Sequence, residues 1–268
     1  LTHTSGFAYT TWNELLRDYS IKTNTPPLTS FKRAAMEVPL MFDPGTHWEY
    51  GIGIDWAGFM VEAVTDMTLG EYFKENLTGP LDMHDTAFAP TTSMSERLTT
   101  IYHRHPDGRL GLLEQDPLAK DFSAPEFEMG GGGLLSTGRD YSRFMRMILN
   151  GGELEGRRVL SEETVQQMTR NQIGSLRVKP LKTAEPMMSN DAEFFPGSPK
   201  SWGLSFQINE QAEKTGRAAG TLMWAGLSNN YFWIDQASDV AGLMLGQILP
   251  FVDARAIELF DKVETTVY

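Results

Sequence analysis

Three apolar segments follow one another near the C-terminus: WGLSFQI, TLMWAGLSNNYFWID and DVAGLMLGQI, with turn residues between them. Their aromatic and aliphatic content and their spacing predict antiparallel strands. The closing FVDARAIELFDKVE places Phe251, Ala254, Ile257, Phe260 and Val263 on one helical face. A small sheet with a helix at its end is therefore the fixed point of any fold. Nothing earlier in the chain supplies that sheet with N-terminal strands.

The preceding residues read as helices and loops. WNELLRDYS holds one short helix. Trp56, Phe59, Met60, Ala63, Val64 and Met67 recur at helical spacing after FDPGTHWEYGIGID, with Asp55 placed to cap them. Thr68 and Glu71 have capping-box spacing, and Gly79-Pro80 closes that helix. Residues 85–128, which include Phe88 and Phe122, carry little periodicity and read as a lid-like excursion. Four glycines, Gly130–Gly133, lead to a helix opened by Thr137 and stopped by Gly151-Gly152, and Ser161 opens another. The chain thus divides into a mainly helical region with active-site loops, 1–200, and the strands with the terminal helix, 201–268. The class is α/β (α+β).

Composition narrows the function. The net charge is −12, spread along the chain, which argues against nucleic acid or an anionic membrane as partner. No apolar run approaches a membrane span. No cysteine is present, so disulfides, thiolate nucleophiles and Cys-type metal sites are excluded. That absence tilts the expected location towards the cytoplasm without fixing it.

Several residues compete for a chemical role. Ser5 with His3 two residues before it lacks the Gly-x-Ser-x-Gly of a nucleophile elbow, so both read as scaffold near a site. His103 and His105 form a two-residue pair without an HExxH pattern, closer to a polar loop than to a metal site. Gly130–Gly133 lacks a phosphate-loop ending and reads as close backbone approach under a site. Lys214-Thr215-Gly216 stands in a polar turn, where it serves as a hairpin connection. Trp224-Ala225-Gly226 lies inside the apolar strand pattern instead. Tyr50 is either an aromatic anchor or a base, and as a base it needs a cation to stabilise its anion.

Four blocks, taken in order, resemble the serine β-lactamase-like superfamily, in the branch of class C β-lactamases, family VIII carboxylesterases and fungal transesterases. They are Leu1-Thr2-His3-Thr4-Ser5-Gly6; Phe42-Asp43-Pro44-Gly45 with Tyr50-Gly51 and Asp55; Gly79-Pro80-Leu81-Asp82-Met83-His84-Asp85-Thr86; and Gly130–Gly133 with Leu134-Leu135-Ser136-Thr137. The resemblance implies a β-lactamase/transpeptidase-like fold, with an antiparallel sheet flanked by helices plus an all-helical region. Tyr50 then stands at the first position of a Tyr-x-Asn motif whose third position is Ile52. Trp224-Ala225-Gly226 stands at the third motif, Lys-Thr-Gly in β-lactamases and frequently Trp-x-Gly in the esterases. Both departures favour ester chemistry over β-lactams.

The resemblance also implies a Ser-x-x-Lys nucleophile, and no serine of this chain has lysine three residues later. The nearest look-alike is Thr29-x-x-Lys32. The expectation is that the nucleophile lies upstream, in an N-terminal fragment of the same protein, and that this part of the fold is missing. Tyr50 would shuttle the proton, the backbone N–H of Leu227, just past an edge strand, would hold the oxyanion, and Trp224, Ala225, Gly226 and Ile52 would contact a small ester. Gly131 and Gly132 would be structural near the site, and Trp12, Trp48 and Phe88 are either pocket walls or core. No metal or cofactor is called for. A β-lactamase or D-Ala-D-Ala carboxypeptidase, and a catalytically inactive homologue acting as a binding module, are the alternatives.

Overall fold

The computed structural model describes residues 1–112 and 125–268, which leaves Phe122 and the centre of the lid-like segment outside the described residues. The first helix, α1 (Glu14–Thr23), is capped by the Asn13 side chain. Helix α2 (Gly53–Thr65) follows Tyr50 directly, and α3 (Leu69–Phe73) opens on the Thr68–Glu71 capping box expected for it. A short α4 (Thr92–Ser95) precedes the hairpin of β1 (Tyr102–Arg104) and β2 (Leu110–Leu112). Helix α5 (Gly138–Leu149) is capped by the Thr137 hydroxyl. The ribbon of β3 (Glu153–Leu154) and β4 (Arg157–Arg158) joins it to α6 (Glu162–Met168), capped by Ser161.

The main sheet has the order β5-β6-β7-β8-β9, all antiparallel. It comprises β5 (Lys200–Trp202), β6 (Gln207–Asn209), β7 (Leu222–Gly226), β8 (Asn230–Asp235) and β9 (Val240–Met244). Strand β10 (Ile248–Leu249) pairs parallel to β1, and α7 (Ala254–Val267) ends the chain.

Alternation along the strands builds a three-layer core. Met223, Tyr231 and Trp233 pack with Trp202, Phe260 and Ala256 on the α7 side. Leu222, Phe232 and Ile234 pack with Met145 and Ile148 of α5 on the other. Successive strand residues face opposite sides, so each strand supplies both layers. Arg217, in the β6–β7 connection, and Glu264 of α7 form an ion pair that is fully buried, and the Thr215 hydroxyl also bonds Glu264. Lys214-Thr215-Gly216 is thus a hairpin connection that anchors α7.

Three local expectations need correction. WGLSFQI is two strands, β5 and β6. Ser205 takes a left-handed φ of 71°, and a side chain on Gly203 would meet the Met168 carbonyl at 2.1 Å, so the chain turns there. Second, the apolar row of α2 faces inward only in part: Phe59 packs against Phe127, whereas Trp56, Met60 and Val64 are exposed and the fully buried residues are Asp55 and Gly58. Third, β7 is an interior strand, not an edge. Only Leu222 and Met223 pair with β6, however, so Trp224 to Gly226 run past the end of β6 with β8 on one side alone.

Candidate active site

The site is assembled where the N-terminal block crosses the start of α2. The His3 carbonyl accepts from Glu49 N–H at 2.9 Å, and the His3 Nδ1 accepts from Gly51 N–H at 3.2 Å. A side chain on Gly51 would fall 2.3 Å from the Phe7 carbonyl oxygen, so only glycine lets the two segments cross. His3 is buried, and desolvation pushes its pKa down to about 3. It is a neutral acceptor that shapes the backbone before Tyr50. Ser5 is exposed and, among the described residues, no hydrogen bond joins its hydroxyl to His3.

Tyr50 is half-buried in a cage of rings. Centroid distances are 4.6 Å to His3, 4.9 Å to Tyr9, 5.5 Å to Trp12 and 4.9 Å to Trp224. Burial, reinforced by the Asp55 charge, pushes the phenol up to about 12, and the neighbouring Trp224 indole offsets part of this. No positive charge of the described residues lowers it. The phenol is therefore neutral near pH 7 and needs an added cation to act as a base.

Asp55 does not cap α2, whose N-cap is Ile52. Its carboxyl, fully buried, turns inward. Oδ2 accepts from the Tyr9 hydroxyl at 3.2 Å and Oδ1 from Gly131 N–H at 2.9 Å. Burial raises its pKa to about 6 against the lowering effect of both bonds. The glycine run fits as expected for close approach. Side chains on Gly130 and Gly131 would fall 2.4 Å from the Ile54 carbonyl and from the Tyr9 hydroxyl, whereas Gly132 has room.

Strand β7 brings Trp224 against Tyr50 and leads into the turn Leu227-Ser228-Asn229. The Leu227 N–H has no hydrogen-bond partner among the described residues. Asn229, fully buried and with a left-handed φ of 62°, fixes this turn: its Nδ2 donates to the Ile248 and Pro250 carbonyls at 2.7 and 2.9 Å, and its Oδ1 accepts from Asp253 N–H at 2.9 Å. Trp12 belongs to the Tyr50 cage. Trp48 is buried against Trp202 and His3. Ile52 is buried in an apolar cluster with Met36 and Phe127, and Phe88 packs at a tilt on Phe73, outside the cage.

Tyr9 and Asn229 carry no sequence motif. The available signal was weaker: a lone acid, Asp55, inside an otherwise apolar first turn, which needs partners once buried. His103 and His105 stand 5.9 Å apart, and the described residues contain no group of three or more side chains able to hold a metal.

A caged tyrosine near the head of a helix thus faces a strand that ends in a turn with an open amide. The chain belongs to the beta-lactamase family, whose model matches residues 1–262. It is 30% identical over 271 residues to an uncharacterised protein of Mycobacterium tuberculosis, covering 96% of this chain and 63% of that one. It is 26% identical over 280 residues to the monacolin J acid methylbutanoyltransferase of Aspergillus terreus, covering 100% and 65%. A solved simvastatin synthase from the same fungus superposes with a TM-score of 0.80 at 27% identity, covering 100% of this chain and 65% of that one. The chain therefore spans a little under two thirds of the length of these relatives.

Proposed function

We propose that the protein is a serine-dependent carboxylesterase or acyltransferase for small esters, working through an acyl-enzyme, and that residues 1–268 hold its tyrosine and oxyanion half. The observation that carries this is the contact of Tyr50 with Trp224 of β7, the strand that runs into the turn holding the open Leu227 amide. The relation to a methylbutanoyltransferase supports acyl transfer as the reaction class. Ile52 and Trp224-Ala225-Gly226, in place of the β-lactamase residues, support esters over lactams.

In this reading the nucleophile is the serine of a Ser-x-x-Lys segment outside residues 1–268. Its oxygen attacks the ester carbonyl carbon, and its proton passes to Tyr50, whose anion the lysine ammonium stabilises. The Leu227 N–H and the serine's own N–H hold the tetrahedral oxyanion. The C–O ester bond then breaks, Tyr50 returns the proton to the departing alcohol, and water or a second alcohol releases the acyl group. Burial holds the Tyr50 phenol at about 12 in the described structure, so this reading requires the lysine beside it.

The decisive experiment compares the complete protein with its Tyr50→Phe variant on short-chain p-nitrophenyl esters and nitrocefin. Ester turnover that falls by about 10²–10⁴ in the variant is expected, the usual share of a general acid–base group. Nitrocefin turnover above ester turnover would replace this reading with a β-lactamase or peptidase. No turnover of either by the complete protein would leave the binding module.

A further inference from the structure

We propose that Asp55, anchored by the Gly131 amide, is a positioning residue that sets the Tyr50 phenol through the Tyr9 hydroxyl. This rests on the role given to Tyr50 above. The two carboxylate oxygens serve two different segments. Oδ2 holds Tyr9, which lies 46 residues before it, and Oδ1 holds the glycine run, 76 residues after it. Tyr9 in turn lies against Tyr50 at 4.9 Å with the ring planes at 52°.

Burying a carboxyl with no exposure at all is unfavourable unless its partners are fixed. The surroundings fix them. A side chain on Gly131 would lie 2.4 Å from the Tyr9 hydroxyl oxygen and 2.9 Å from Asp55 Oδ2, and one on Gly130 would strike the Ile54 carbonyl. The glycine run is therefore pressed against the first turn of α2 at the place where the carboxyl reaches out. Any shift of Asp55 moves the Tyr9 ring, and the Tyr9 ring is one wall of the Tyr50 cage. A helix that needed only stability at this point would hold an apolar residue, as the rest of its first turn does.

The test uses the complete protein with three variants: Tyr9→Phe, Asp55→Asn and the double change. Ester kinetics are measured per folded molecule, the folded fraction being read from near-ultraviolet circular dichroism. Each single variant is expected to lower kcat about tenfold with KM changed less than twofold, and the double variant to be no slower than the worse single one, since one chain of contacts is cut in each. Tyr9→Phe keeps the ring and the fold, so it decides the matter if Asp55→Asn folds poorly. A kcat per folded molecule within twofold of the parent in Tyr9→Phe overturns the proposal. Failure of the broader reading looks different: the parent protein would turn over nitrocefin above esters, or neither, or Tyr50→Phe would retain ester activity.

Discussion

At the residue scale, burial suppresses charge around Tyr50. His3 stays neutral because burial drags its pKa from 6.5 to about 3. Between those values the unfolded chain binds a proton that the folded chain refuses. The His3 contribution to stability is therefore complete above pH 6.5 and is lost as pH falls towards 3. Replacement by Gln should flatten the acid side of a urea-midpoint profile in that window. The Leu227 amide offers a second test. Leu227→Pro removes an N–H that has no partner among the described residues, so kcat per folded molecule should fall about 10²–10³. Tyr50 and Trp224, both singled out by motif position in the sequence, meet at 4.9 Å in the fold. Asp55 was misread as a cap: a carboxyl in a first turn looks the same whether it bonds its own helix or reaches partners 46 and 76 residues away.

At the element scale, the strand pairs and the helix caps carried plain local signals. TLMWAGLSNNYFWID alternates between two cores and folds as the β7–β8 hairpin. The caps at Thr68, Thr137 and Ser161 are in place. The split of WGLSFQI was hidden because it depends on the Met168 carbonyl, a tertiary neighbour. The crossing of the N-terminal block over α2 predicts that Gly51→Ala, which puts a methyl 2.3 Å from the Phe7 oxygen, costs about 1–3 kcal/mol in chemical denaturation. The buried Arg217–Glu264 pair ties α7 to the sheet, and Glu264→Ala, which strands the guanidinium, should cost about 3–5 kcal/mol.

At the scale of the whole molecule, the sheet ends in β9, which pairs with β8 alone among the described residues and is half-exposed along its length. Such an edge is a template for another strand. Residues 1–268 prepared alone should self-associate, and more so as salt screens the −12 net charge, a trend that light scattering after size exclusion would show. Leu245→Lys, at a side chain 52% exposed beside that edge, should reduce it. The ring cage has an optical consequence as well. Of the six tryptophans, Trp12 and Trp224 touch Tyr50, and Trp202 stands 4.6 Å from Trp224. Light absorbed by the phenol will pass to these indoles, so their emission becomes a built-in dye for whatever enters beside Tyr50, readable with no label attached.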